Sequence, residues 1–395
     1  MAEQHAKTEP IKVLNLSTHD EDCGIGKYQE DFVRLLKDDT SVESVFYATS
    51  PNIIRTLYGG ALEDELHKFR NELKAYDVLH IQHEFGFFHD DGEGLGEFVD
   101  IAKELHKKIV ITIHTAPSLV YHPVIRGGGS VRAVAGYYKR LYKNKQILKK
   151  RLKPFLGADK IITLNPHTTR ELIELVGVSP DVIHQTMIPV ELNHVPDGDK
   201  GILRQTMDAK SEDIILATVG FLSDKKGTDA AIKSLSFLPK NYKLAILGGI
   251  NPVSGRPEVY DRICDLVVEL GLQDRVYISG YISDDRVHDQ LVSGADIALY
   301  PYDPDYYRLA SSAAVNTAIN NQVPVISYPA ESFKEINRRI QGAITVTASP
   351  NYYELVRAVK AIDATAQLRL AKEYAHEFSI EKLTSELVEL YRPLV

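Results

Sequence analysis

The sequence predicts an α/β protein built from two doubly wound parallel-sheet domains. Short apolar segments recur along all 395 residues, amphipathic segments separate most of them, and the rhythm breaks at one polar stretch, 191–213. Parallel strands covered by helices on both faces read as near-continuous apolar runs, and the intervening helices carry one apolar stripe each. A chain of this length exceeds what a single core usually fills.

In the first half the expected strands are 11–17, 41–48, 77–84, 108–115, 160–165 and 182–190. The second half repeats the pattern at 214–220, 242–249, 275–280, 296–302, 324–329 and 343–348. The polar stretch ELNHVPDGDKGILRQTMDAKSED is the expected hinge. The last segment, SIEKLTSELVELYRPL, reads as an amphipathic helix with no strand after it, suited to packing back on the first domain. The expected organisation is a first domain over 1–192, a second over 193–377 and a returning terminal helix over 378–395. Two such domains would face a central cleft, because open α/β sheets bind ligands outside their strand carboxyl ends.

Composition narrows the function. Charged residues make up 25% of the chain and the net charge is −8, which argues against a global nucleic-acid binder. Two cysteines, Cys23 and Cys264, exclude a disulfide scaffold, although one bridge is conceivable. The segment MAEQHAKTEP lacks the apolar core of a signal peptide and no stretch reaches the length of a membrane span, so a cytoplasmic protein is expected.

The loops after the strands hold the chemistry. The first, THDEDCGIGKYQEDFVRLL, places Gly24, Ile25 and Gly26 at a strand-to-helix turn, but Gln29 stands where a dinucleotide fingerprint has its third glycine. HIQHEFGFFHDD brings His80, His83, Glu84 and His89 close in sequence. His80 and His83 would lie on opposite faces of a strand, so no metal site is expected. His114 ends the β-branched strand ITIHT. Lys225 and Lys226 precede a helix that starts at Gly227, where free backbone N–H groups and lysine charge suit a phosphate. Gly280, Tyr281 and Ile282 follow another strand, where main chain and ring could bracket a base. Ser311 and Ser312 read as helix caps or as hydrogen-bond donors to a phosphate or sugar. Arg308 stands just before them, and Asn316, Thr317 and Asn320 form a polar helix face after them.

In this order the elements GIGKY, the strand-terminal histidine, G-F-x-x-x-K-K-G, G-Y-I-S, GADIALYPY and Q-V-P-V-I resemble the retaining glycosyltransferases of the GT-B fold, family 4, over nearly the whole chain. The resemblance implies transfer of a hexose from a UDP- or GDP-sugar to a glycan or lipid-linked saccharide, with no further cofactor. It implies that Gly24–Gly26 approach the donor diphosphate and acceptor, that His114 touches the transferred sugar, and that Lys226 neutralises the leaving diphosphate. The main chain of Gly280–Ile282 would then meet the base. Catalysis would be electrostatic, with front-face attack by the acceptor hydroxyl and the proton passing to a phosphate oxygen. The sequence departs from the family pattern at Phe221, where arginine is common, and at Leu309 and Thr317, where two glutamates stand. Lys225 is the expected substitute for the arginine. Arg308, Ser311, Ser312 and Asn316 are the polar groups near the missing carboxylates. Those losses keep open a non-catalytic glycan- or partner-binding subunit; a sugar-nucleotide epimerase on the same fold is a lower-ranked alternative, since it would need more acid–base groups in the cleft.

One further stretch, residues 132–153, is basic and interleaved with tyrosine, leucine and isoleucine, without an acidic residue. It suits an anionic membrane surface carrying a lipid-linked acceptor, and equally a solvated helix packed on the first domain. The first reading places the protein peripherally on the inner face of the cell membrane. No nucleic-acid partner is expected.

Overall fold

The computed structural model of the chain describes residues 9–19, 23–88, 94–115, 135–136, 139, 142–143, 146, 151–191, 201–251, 256–307 and 312–395. Among them the chain forms two compact units. One comprises the residues up to Met187 together with Ile380–Val395, and the other runs from Ile188 to Ser379. His89, Arg308, Leu309, Ser311 and most of the basic stretch 132–150 lie outside the described residues.

The first unit holds a six-stranded parallel sheet of β1 (Ile11–Leu16), β2 (Val42–Phe46), β3 (Val78–His83), β4 (Lys108–Ile113), β5 (Lys160–Thr163) and β6 (Ile183–Gln185), in the order β2-β1-β3-β4-β5-β6. Leu14, Leu16, Leu79, Ile81, Ile109 and Ile111 are buried in its core with Phe69, Phe98 and Phe155 from the covering segments. The terminal helix Ile380–Tyr391 packs in this unit beside the helix Gly24–Leu36.

The second unit repeats the design with β7 (Ile214–Val219), β8 (Tyr242–Leu247), β9 (Val276–Ile278), β10 (Ile297–Tyr300), β11 (Val325–Ser327) and β12 (Thr345–Val346). Its order is β12-β11-β10-β7-β8-β9, all pairs being parallel. Each expected strand is present, trimmed by one to several residues at its ends, because ladder pairing stops before the apolar run does. Part of the expected hinge is helical instead: Gly201–Thr206 form a helix anchored by buried Leu203. Both cysteines are free thiols.

Each sheet has a place where chain connections leave in opposite directions, between β1 and β3 in the first unit and between β7 and β10 in the second. The loops part at such a switch point and leave a crevice at the strand carboxyl ends. The loops holding Gly24–Gly26, Lys225 and Lys226 and Tyr302 leave from these strands, whereas His114 follows β4 and Gly280–Ile282 follow β9.

Candidate functional site

In the second unit Lys226 and Gly227 follow β7, and Pro301 and Tyr302 follow β10. Gly227 holds a left-handed backbone (φ +64°), and a Cβ there would lie 1.9 Å from the Pro301 carbonyl oxygen. Only glycine lets the two loops close to this distance. That closure brings half-buried Lys226 against aromatic rings. Its Nζ donates to the Tyr302 hydroxyl at 2.5 Å and lies 4.2 Å from the centroid of that ring and 5.8 Å from that of Tyr307. Among the described residues no carboxylate reaches Lys226 within ion-pair distance. Desolvation without a compensating anion pushes its ammonium down to about 7. Lys225 differs: it is exposed and ion-paired with Asp303 at 2.7 Å, which holds its pKa above the usual lysine value.

Around this lysine the other expected residues fall unevenly. Phe221 stacks on Tyr281 with ring centroids 5.7 Å apart and planes 15° apart, and Tyr281 is 39% exposed. Gly280 has a left-handed backbone (φ +72°), and no atom of the described residues lies within 4 Å of where its Cβ would stand; Ile282 is half-buried. Ser312 does not cap the following helix. That helix, Ala314–Asn320, starts later and has Ala313 at its cap position, while the Ser312 hydroxyl is hydrogen-bonded with the Tyr302 phenol. The buried Asn316 amide is already committed, donating to the carbonyls of Ile188 (3.0 Å) and Pro189 (2.9 Å). Thr317 is half-buried on the same helix.

In the first unit Gly24 opens the helix Gly24–Leu36 with no atom of the described residues within 4 Å of where a Cβ would stand, and Ile25 is half-buried. Gly26 is buried against Thr18, where a Cβ would sit 3.0 Å from the Thr18 carbonyl oxygen. The same helix supplies Tyr28, whose ring meets His114 edge-on at 5.0 Å. His114 is half-buried, its Nε2 lies 2.8 Å from Gln82 Oε1, and desolvation pushes its pKa down to about 3. His80 and His83 do lie on opposite faces of β3. His80 meets Tyr391 and Thr112, whereas His83 is ringed by Phe85, Phe88 and Phe155 with neither ring nitrogen hydrogen-bonded. Among the described residues no group of three or more His, Cys, Asp or Glu could hold a metal ion.

Sequence reasoning missed Tyr302, Gln82 and the role of Gln29. A signal existed: the carboxyl ends of three apolar strands carry polar residues with period two, Asn15, then His80 and Gln82, then Thr112 and His114. In register Asn15 neighbours His80, and Gln82 neighbours Thr112, so these side chains share one sheet face.

This pair of doubly wound sheets is the GT-B fold. The chain is similar over 97% of its length, and over 100% of the other chain, to the crystal structure of Anabaena Alr3699/HepE in complex with UDP, with a TM-score of 0.70 and 15% identity. Residues 199–374 match the model of the family described as glycosyl transferases group 1. Among curated proteins the chain is similar to D-inositol 3-phosphate glycosyltransferase of Acidothermus cellulolyticus, 28% identical over 138 residues, which is 33% of this chain and 30% of that protein. It is also similar to mannosylfructose-phosphate synthase of Agrobacterium fabrum, 29% identical over 144 residues, 34% of this chain and 31% of that protein. The matches thus span about a third of the length of these curated relatives. Among the described residues no helix is long and apolar enough to cross a membrane.

Proposed function

We propose that the protein is a retaining glycosyltransferase that moves a hexose from a nucleoside-diphosphate sugar to a saccharide or lipid-linked saccharide. One observation carries this reading: Lys226, at the switch point of the second sheet, is a cation without a carboxylate partner among the described residues. A diphosphate supplies the missing anion. As the bond to the anomeric carbon breaks, negative charge grows on the leaving phosphate, and a fixed ammonium in a poorly solvated site stabilises that growth. The half-exposed Tyr281 gives a base a surface to stack on, and Gly280 leaves its main chain approachable. Solved complexes of the Anabaena protein contain UDP and UDP-glucose, which favours a uridine donor over a guanosine one. In the first unit the uncrowded Gly24 and the nearby His114 would serve the acceptor and the transferred sugar.

Calorimetric titration with UDP and GDP, on the native chain and on Lys226→Ala, tests this. Saturable binding of one nucleotide, weakened tenfold or more by the substitution, is the expected result. A folded protein that binds neither overturns the donor-site assignment. A binding-only role has one observation in its favour, the neutral Thr317 where a carboxylate would hold ribose hydroxyls. Slow release of free sugar from the bound donor, assayed without acceptor, separates an enzyme from such a subunit.

A further inference from the structure

Gln29, the residue that spoils the dinucleotide fingerprint, is completely buried and sits in a chain of three carboxamides. Asn15 Nδ2 lies 2.8 Å from the Val45 carbonyl oxygen and 2.8 Å from Ser44 Oγ. Gln29 Nε2 lies 2.7 Å from Asn15 Oδ1, and Gln82 Nε2 lies 2.6 Å from Gln29 Oε1. Gln82 Oε1 then faces His114 Nε2 at 2.8 Å. Asn15, Gln29 and Gln82 are each buried to the last per cent of their surface.

An amide can be turned end for end, so its orientation must be argued from its partners. Here the far end decides. The Val45 carbonyl can only accept, so Asn15 must present its NH2 to it and its oxygen to Gln29. Gln29 must therefore donate to Asn15 and offer its own oxygen to Gln82. Gln82 must donate to Gln29 and offer its oxygen to His114. Turning any one amide would set two oxygens, or two NH2 groups, against each other at hydrogen-bond distance in a buried site. His114 then has a single arrangement that satisfies the last link: a proton on Nε2. His80 stands beside the relay: its Nε2 lies 3.2 Å from Gln82 Nε2 and 2.8 Å from Thr112 Oγ1, and its Nδ1 lies 2.7 Å from the Tyr391 hydroxyl.

We propose that Asn15, Gln29 and Gln82 form a one-way carboxamide relay that fixes the proton of His114 on Nε2, making Nδ1 a hydrogen-bond acceptor reserved for a ligand hydroxyl. The three amides are positioning residues. They select the tautomer, and burial of the ring disfavours the imidazolium, so His114 takes an O–H and turns away carbonyl, carboxylate and phosphate oxygens. The identity of that hydroxyl as one on the transferred sugar rests on the proposed function; the relay itself does not.

The test is nitrogen-15 NMR on the full chain labelled at histidine, with His114 assigned by its loss in His114→Gln. The two-bond proton–nitrogen pattern distinguishes the tautomers. The native protein should show neutral His114 with its proton on Nε2 at pH 7. Gln29→Glu should preserve that pattern, because the buried side chain stays a neutral acid whose O–H donates to Asn15 Oδ1 and whose carbonyl oxygen accepts from Gln82. Gln29→Met should mix the tautomers, although residue 29 does not touch His114. A proton on Nδ1, an imidazolium at pH 7, or an unchanged pattern in Gln29→Met overturns the relay. Should either variant fail to fold, the native tautomer still decides. Addition of UDP-glucose, compared with UDP alone, should then move the Nδ1 resonance. An intact tautomer with no such movement overturns the hydroxyl assignment and the sugar-contacting role of His114, while the relay stands.

Discussion

Mild acid should destabilise the first unit through three histidines, His80, His83 and His114, which desolvation pushes down to about 3. Unfolded histidine titrates near 6.5. Between these values the unfolded chain binds more protons than the folded one, so stability falls as pH drops below about 6.5 and levels off near 3. From pH 7.5 to pH 5.5 each fully buried ring costs about 1.4 kcal/mol. His80 and His83 are each 1% exposed and contribute in full; half-buried His114 contributes less. The sum is about 3–4 kcal/mol, a large part of the ~5–15 kcal/mol that keeps a typical domain folded. Lys226, pushed down to about 7, titrates in the same window, and burial raises the Glu84 carboxyl toward it, so a histidine variant is needed to assign the loss.

Urea titrations followed by far-UV circular dichroism at pH 7.5, 6.5 and 5.5 measure the loss directly. His83→Leu is the internal control. It removes one of the three protons, so about 1.4 kcal/mol of the pH dependence should disappear. At pH 7.5 it should also stabilise by ~1–3 kcal/mol, because neither ring nitrogen has a hydrogen-bond partner. Stability that is flat between pH 7.5 and 5.5, or an unchanged slope in His83→Leu, would refute the reasoning.

Three more outcomes follow from the geometry. Lys226 keeps its proton only below about 7, so the association constant for UDP should fall ~50-fold between pH 7 and pH 9, and Lys226→Met should bind weakly with no such slope. Calorimetry at pH 7, 8 and 9 checks this. Gly227→Ala forces a Cβ to 1.9 Å from the Pro301 oxygen on a left-handed backbone, so it should cost more than ~2 kcal/mol in thermal unfolding and weaken nucleotide binding by displacing Lys226. Tyr391→Phe leaves buried His80 Nδ1 without its partner, and denaturant titration should show a loss of ~1–3 kcal/mol.

Much of this fold was written in local sequence. Apolar runs of strand length, alternating with amphipathic segments, are decided by neighbours a few residues apart, so the positions of β1 to β12 follow from residue order alone. The loop holding Lys225 and Lys226 was legible for the same reason: glycine and lysine ahead of an amphipathic segment signal a helix start wherever they occur. The sequence could not separate the two lysines. They are adjacent in the chain, yet Asp303 takes one and the Tyr302 and Tyr307 rings take the other. Those partners lie more than seventy positions away, and only the pairing of β7 with β10 brings them in.

Ser312 shows the same limit. Serine ahead of an apolar run reads as a cap, but the helix begins two residues later and the hydroxyl turns to Tyr302. Gln29 shows it most fully. Its side chain interrupts a familiar glycine pattern, and nothing within the helix explains it. Its partners come from β1 and β3, fourteen and fifty-three positions away. Sequence alone determined which segments become strands and helices and which loops leave their carboxyl ends, because periodicity and turn chemistry act locally. Tertiary structure alone decided which lysine is left without an anion and on which nitrogen a histidine holds its proton, because desolvation and hydrogen-bond polarity depend on groups that only folding brings together.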